Sequence, residues 1–144
     1  MLTVDFKEFP LMAGMRVLDA GCGTGRHLCE ALRTPGVEAA GVDWNLADLS
    51  VAKGFLSGMT TGDGGPRWVL ALSDLARIPF ADGSFDTVVC SEVLEHVADS
   101  RAVIAELVRV LKPGGVLMVS VPRFWPENIC WALSAAYHRE PGGH

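Results

Sequence analysis

The chain has 144 residues, 49% apolar and 20% charged, which allows one domain with a real core and excludes a disordered chain. A net charge of −5 with no cluster of Lys or Arg argues against a nucleic-acid partner, which calls for a basic face. No apolar run approaches the roughly 18 residues of a membrane span, and residues 1–10, with acids at Asp5 and Glu8, do not read as a secretory signal.

A mixed lead-in ends near Gly14. Met15–Ala20 (MRVLDA) is a short apolar run stopping at glycine, predicted as a first strand buried on both faces. Glycines then occupy alternate positions, Gly21, Gly23 and Gly25. Arg26–Arg33 puts Leu28, Ala31 and Leu32 at helical spacing, and Thr34-Pro35-Gly36 stops that helix. Val37–Asp43 is a second strand. Leu46–Leu56 is a second helix with Asn45 as its N-cap, and Ser57–Pro66 is a loop by composition. Trp68–Leu72 is a third strand, ending at Ser73-Asp74. Ala81–Ser84 is a turn and Phe85–Cys90 a fourth strand, followed by Ser91–Val97. Ser100–Leu111 is an amphipathic helix with Val103, Ile104, Leu107, Val108 and Leu111 on one side, stopped by Lys112-Pro113-Gly114-Gly115. Val116–Val121 is a fifth apolar strand. Beyond it, Pro126 suits a first helical position, and residues 127–138 would form a mostly apolar helix.

Strands that alternate with helices imply an α/β fold. The expected form is a Rossmann-like, doubly wound, mostly parallel sheet of about five strands with helices on both faces, because parallel strands need right-handed crossovers. Ligands of such sheets bind beyond the carboxyl ends of the strands, at the switch point. The domain is read as residues 1–121. Residues 122–144 form an aromatic-rich tail, in which Trp125, Trp131 and Tyr137 either lid a pocket or pack against further chain.

The bend after the first strand explains the glycines. Glycine accepts positive φ and has no Cβ, so a ligand can lie against the backbone, near the N–H groups that open the next helix. A dinucleotide site prefers G-x-G-x-x-G. Here the register is G-x-G-x-G and Arg26 stands where the last glycine belongs, which disfavours a nicotinamide cofactor. Acids end the neighbouring strands. Asp43 either accepts both hydroxyls of a ribose or caps the next helix. Trp44 either covers an adenine ring or belongs to the core. Asp74 either takes an adenine amino hydrogen, with the following N–H of Leu75 donating to the ring, or forms a turn.

Taken together, VLDAGCGTG, GVD, SDLARIPFADGSFDTVVCSEVLEHV and LKPGG resemble the class I S-adenosylmethionine-dependent methyltransferases, in particular their small-molecule type 11 branch, over roughly residues 15–121. The resemblance implies that Asp19, Gly21, Cys22, Gly23 and Gly25 hold the methionine portion of S-adenosyl-L-methionine. It implies Asp43 on the ribose, Trp44 against the adenine, Asp74 and Leu75 at the adenine edge, and Ser91 near the methionine. The implied activity is methyl transfer to a small-molecule acceptor.

Candidate bases are Glu92, Glu95 and His96, with Glu92 and His96 sharing a face if their stretch is helical; each is equally a solvated side chain, and no catalytic residue is assigned. His27 is read as a solvent or packing residue, and no spacing of His or Cys suggests a metal. The cysteines Cys22, Cys29, Cys90 and Cys130 are expected as free thiols in a cytoplasmic protein. The family sheet usually has two further strands after the fifth. Their absence here suggests a fragment, a truncated form, or a homodimer joined through an exposed sheet edge. That edge also motivates the alternative function, a non-catalytic cofactor-binding or assembly module of the same fold.

Overall fold

A computed structural model of the protein describes residues 3–59, 65–122 and Leu133. Five strands, β1 (Arg16–Ala20), β2 (Glu38–Asp43), β3 (Arg67–Leu72), β4 (Phe85–Ser91) and β5 (Leu111–Ser120), form one sheet in the order β3-β2-β1-β4-β5. Every pair is parallel. The helices are α1 (Arg26–Ala31), α2 (Leu46–Met59) and α3 (Ser100–Val110), with a short 3-10 turn at Leu94–His96. The expected doubly wound α/β fold is therefore the observed one. Its sheet is wholly parallel among the described residues, and the switch point falls between β1 and β4.

The alternation of side chains along β1 decides what each face can hold, because successive residues point to opposite faces. Leu18 and Ala20 enter the large core with Val88 and Cys90 of β4 and Val103, Ile104, Leu107 and Val110 of α3. Val17 enters the opposite layer with Ala31 of α1, Val89 and Met118. Asp19 shares the face of Val17, so its carboxyl group points toward the α1 side. A third cluster joins Leu28 and Leu32 to Leu49 and Leu56 of α2.

Three expectations about elements need correction. The loop predicted from Ser57 begins later, because α2 continues through Met59. The helix predicted to Leu111 ends at Val110, and Val110 rather than Val108 fills its buried face. The fifth strand does not wait for Val116: the chain turns extended at Leu111. Leu111 pairs with Phe85 and Val116 with Thr87, so Lys112–Gly115 is an inserted bulge. Gly115 makes that bulge possible, since a Cβ there would meet the Asp86 carbonyl oxygen at 2.9 Å. Asp86 also accepts the Arg16 N–H at 2.8 Å and both of its carboxylate oxygens pair with Lys112 Nζ, tying β1, β4 and the bulge together at the base of the sheet.

Among the described residues β3 and β5 are the edges of the sheet. β3, expected as a strand over Trp68–Leu72, is half-exposed for that reason, with Val69 and Leu72 open to solvent. The helix expected at 127–138, and with it Trp125, Cys130, Trp131, Tyr137, His138 and His144, lies outside the described residues apart from Leu133, which packs against the core of β4 and α3.

Candidate functional site

The three glycines after β1 do three different jobs. Gly21 lies at φ +78°, and a Cβ there would stand 2.4 Å from Val93 Cγ2, so a side chain is excluded. Its N–H and that of Cys22 both donate to the Val42 carbonyl, at 2.7 and 3.0 Å, which pins the bend to β2. Gly25 caps α1 at φ +86°, with Ala52 of α2 at 3.1 Å from the place of its missing Cβ. That close approach is the helix-packing role that a dinucleotide fingerprint gives to its third glycine. Gly23 alone faces open space: at φ +51°, nothing lies within 4 Å of where its Cβ would be.

Acids surround this bend. The N–H of Gly23 donates to Asp43 Oδ2 at 2.8 Å, and that of Asn45 to Asp43 Oδ1 at 2.9 Å. Asp43 is buried, not an exposed cap. The cap of α2 is Asn45, whose Oδ1 accepts from Ala47 and Asp48 N–H groups, as expected. Each carboxylate oxygen accepts about two hydrogen bonds, so Asp43 keeps capacity for further donors. Asp19 is 1% exposed, and its Oδ2 has no hydrogen-bond partner. Burial, reinforced by the nearby Asp43 charge and opposed by Arg26, pushes its carboxyl group up to about 7. Cys22 is buried, and burial with the charges of Asp19 and Asp43 raises its thiol well above the ordinary range. It stays neutral, so it can offer the bend its backbone but no thiolate.

Trp44 directly follows β2 and is 82% exposed, so the core alternative for it fails. Ser73 donates its N–H to the Asp43 carbonyl at 3.0 Å, setting the ends of β2 and β3 side by side. Asp74 is exposed, and its Oδ1 accepts the Ala76 N–H at 2.9 Å in a turn. Leu75 buries its side chain in the core, leaving its backbone for any outward contact. The loop that carries both is held from α3. Glu106 accepts the Ile78 N–H at 2.8 Å, while Arg109 donates to the carbonyls of Ile78 and Phe80 and to Asp82 at 2.8 to 2.9 Å.

Ser91 ends β4 beside Ser120 of β5; their hydroxyls bond at 2.7 Å, and Thr3 bonds to Ser91 as well. Glu92 takes φ +53°, the only non-glycine positive φ among the described residues. It precedes the 3-10 turn, so Glu92 and His96 do not form the helical pair considered from the sequence. His96 is exposed and lies 3.8 Å from Glu95, whose Oε2 is buried without a partner. No catalytic residue emerges from the three candidate bases.

Of the two readings of His27, solvent or packing, burial supports packing. His27 is buried on α1, with Nδ1 3.9 Å from Asp19 Oδ2 and Nε2 unpartnered. Burial and the neighbouring Arg26 hold its imidazole below the ordinary value, in the neutral form. Its position four before the core residue Ala31 was the available signal.

A family described as a methyltransferase domain matches residues 18–119. The ubiquinone biosynthesis O-methyltransferase of Marinobacter nauticus is 39% identical over 125 residues, 87% of this chain and 51% of that protein. A demethylmenaquinone methyltransferase of Parafrankia sp. is 38% identical over 128 residues, 81% of this chain and 50% of that protein. The crystal structure of a SAM dependent methyltransferase from Aquifex aeolicus superposes with TM-score 0.75 at 21% identity, covering 91% of this chain and 76% of that one, a likeness of fold. The chain thus spans about half the length of the curated relatives it matches. A match over residues 18–119, which contains the glycine bend, the strand-end acids and Ser91, means that this chain belongs to the class I S-adenosylmethionine-dependent methyltransferases.

Proposed function

We propose that the chain binds S-adenosyl-L-methionine over the bend at Gly21–Gly25 and transfers its methyl group to a small-molecule acceptor. The observation that carries this reading is Gly23: a left-handed, unobstructed backbone position whose N–H is already fixed by the buried carboxylate of Asp43. The residues present fit such a group. Asp19 offers an unpaired buried oxygen to a cation, Asp43 has acceptor capacity for vicinal hydroxyls, and Trp44 exposes a ring beside it for a base. Asp74 and the Leu75 backbone would then meet the edge of that base, with Ser91 toward the methionine end.

When bound, the cofactor supplies a methyl group activated by a sulfonium sulfur. The chain's own contribution is to hold and orient. Alignment of reacting atoms alone lowers a barrier by roughly 7–11 kcal/mol in favourable cases, so methyl transfer does not require that one of Glu92, Glu95 or His96 act as a base. An apolar, oxygen-bearing acceptor is the class best supported, because one relative is named as an O-methyltransferase and both are named for quinones.

Calorimetry with S-adenosylhomocysteine tests the binding half: no heat from the folded protein removes the reading. Transfer of a labelled methyl group to a panel of phenols and catechols tests the second half. Binding with no turnover on any acceptor would favour the non-catalytic alternative. A reducing, cytoplasmic setting belongs to the same reading, supported by the free thiols of Cys22, Cys29 and Cys90. So does self-association through an open edge strand, β3 with its exposed Val69 and Leu72 or β5, which light scattering would reveal as a dimer. Among the described residues, no helix is long and apolar enough to cross a membrane.

A further inference from the structure

Between β1 and α1 lie two buried polar side chains, Asp19 and His27. Asp19 Oδ2 and His27 Nε2 have no hydrogen-bond partner. His27 Nδ1 stands 3.9 Å from Asp19 Oδ2, about 0.7 Å outside hydrogen-bond range. Buried polar groups are almost always paired. The Asp19 oxygen, left open at the end of the strand that leads into the glycine bend, points to a group that pairs with it on binding.

The surrounding charges say what that group is. Asp43 of β2 repels the Asp19 carboxylate and Arg26 of α1 partly offsets it. Cys22 in the bend and Cys90 of β4 are neutral thiols, the latter pushed up to about 12 by burial and by Asp19. At His27 the positive charge of Arg26 outweighs the negative charge of Glu92, beyond β4. At Asp19 the carboxylate of Asp43 outweighs Arg26, so the group that completes its open oxygen is a cation of ammonium type.

Resting on the reading of this bend as an S-adenosylmethionine site, we propose that His27 is a positioning residue for Asp19. Its Nδ1–H closes onto Asp19 Oδ2 as the ammonium end of the ligand arrives, so that Asp19 binds as the carboxylate and one proton leaves the site. The bond broken is the Asp19 carboxyl O–H, and the proton passes to the buffer; no other bond changes. Neutral imidazole carries one N–H, so Nε2 remains an acceptor throughout.

The test is calorimetry of the whole chain with S-adenosylhomocysteine between pH 6 and pH 8.5, in paired buffers of different ionisation enthalpy, with wild type, His27→Leu and His27→Gln. The wild type should release most of one proton per site at pH 6, and its affinity should fall about tenfold per pH unit below the Asp19 midpoint near 7. His27→Leu should bind about tenfold more weakly at pH 8 and show a flatter pH profile, whereas His27→Gln, which keeps an N–H donor, should stay within about threefold of wild type. Wild-type binding with no proton release overturns the proposal, and so does a Leu variant that matches wild type in affinity and pH profile. If the Leu variant does not fold, the wild-type proton release and the Gln variant decide. Absence of any wild-type binding would overturn the cofactor reading and, with it, this proposal; the outcomes above overturn the proposal alone.

Discussion

Gly23 donates its backbone N–H to Asp43 Oδ2 across 2.8 Å, so the bend after β1 and the end of β2 share one carboxylate. That single contact makes the shape of the bend depend on a side chain twenty residues away.

Replacing that side chain should therefore do two things. Asp43→Ala leaves the N–H groups of Gly23 and Asn45 without their acceptor and removes the proposed ribose contact. Hydrogen bonds to charged groups are worth about 1.5–3 kcal/mol, so affinity for S-adenosylhomocysteine should drop by about ten- to a hundredfold. Urea unfolding should show a loss of about 1–3 kcal/mol. Unchanged affinity would remove Asp43 from the site.

Gly21 and Gly23 should separate stability from binding. Gly21→Ala drives a methyl group into Val93, and combined overpacking and left-handed strain should cost on the order of 2–4 kcal/mol in thermal or urea unfolding. Gly23→Ala meets nothing and pays only the strain of its φ, about 1 kcal/mol. Its methyl group nevertheless occupies the open side of the bend, so ligand affinity should fall at least about tenfold. A Gly23→Ala protein that binds normally would mean that the ligand lies elsewhere.

Trp44 should matter to the ligand and not to the fold. At 82% exposure, Trp44→Ala should change stability by less than about 0.5 kcal/mol. Stacking of a base on an aromatic ring is worth about 1–3 kcal/mol, so affinity should weaken by about five- to a hundredfold. Ligand-induced change in tryptophan fluorescence should disappear in the same variant.

Asp19 gives a pH prediction. Its folded midpoint, near 7, lies above its ordinary value of 3.8. Below pH 4 both the folded and unfolded chains hold this proton. Between about 4 and 7 only the folded chain keeps it, so the contribution of Asp19 to stability declines through that window and levels off above it. Asp19→Asn removes the ionisation, and should raise stability at pH 8 by a few kcal/mol relative to wild type while leaving pH 4 little changed. The same variant should lose ligand affinity. No gain at pH 8 would mean that the carboxylate is better compensated than its orphaned oxygen indicates.

Arg109 joins α3 to the loop that carries Asp74. Arg109→Leu strands the carbonyls of Ile78 and Phe80 and leaves Glu106 without its cation. A loss of about 2–3 kcal/mol by urea unfolding is expected. A smaller loss would show that water replaces the guanidinium.

Most of the architecture was legible because its signals are local. Apolar runs ending at glycine or acid marked β1 and β2, an apolar run after a turn marked β4, and Asn45 announced the start of α2. What escaped depends on neighbours in space. β3 was legible as a strand, but its apolar residues do not tell that it stands at the sheet edge, which exposes Val69 and Leu72. The bulge at Lys112–Gly115 reads as a helix stop, because nothing local reveals that Asp86 and Gly115 meet. His27 stayed open between solvent and packing for the same reason: only the fold sets it beside Asp19. Trp44 could not be resolved between core and rim without knowing that the chain leaves the sheet there.

The contact between Gly25 and Ala52 carries a consequence for how this protein could be tuned. Residue 52 touches the bend at Gly25 from a different helix and is itself fully buried, so it acts as a lever on the bend. Enlarging it by one or two carbons would wedge the helices apart and loosen the grip of the bend, while every group assigned to recognition stayed chemically intact. Variation at that one small residue is a route by which relatives with the same recognition set could differ in how long they retain what they hold.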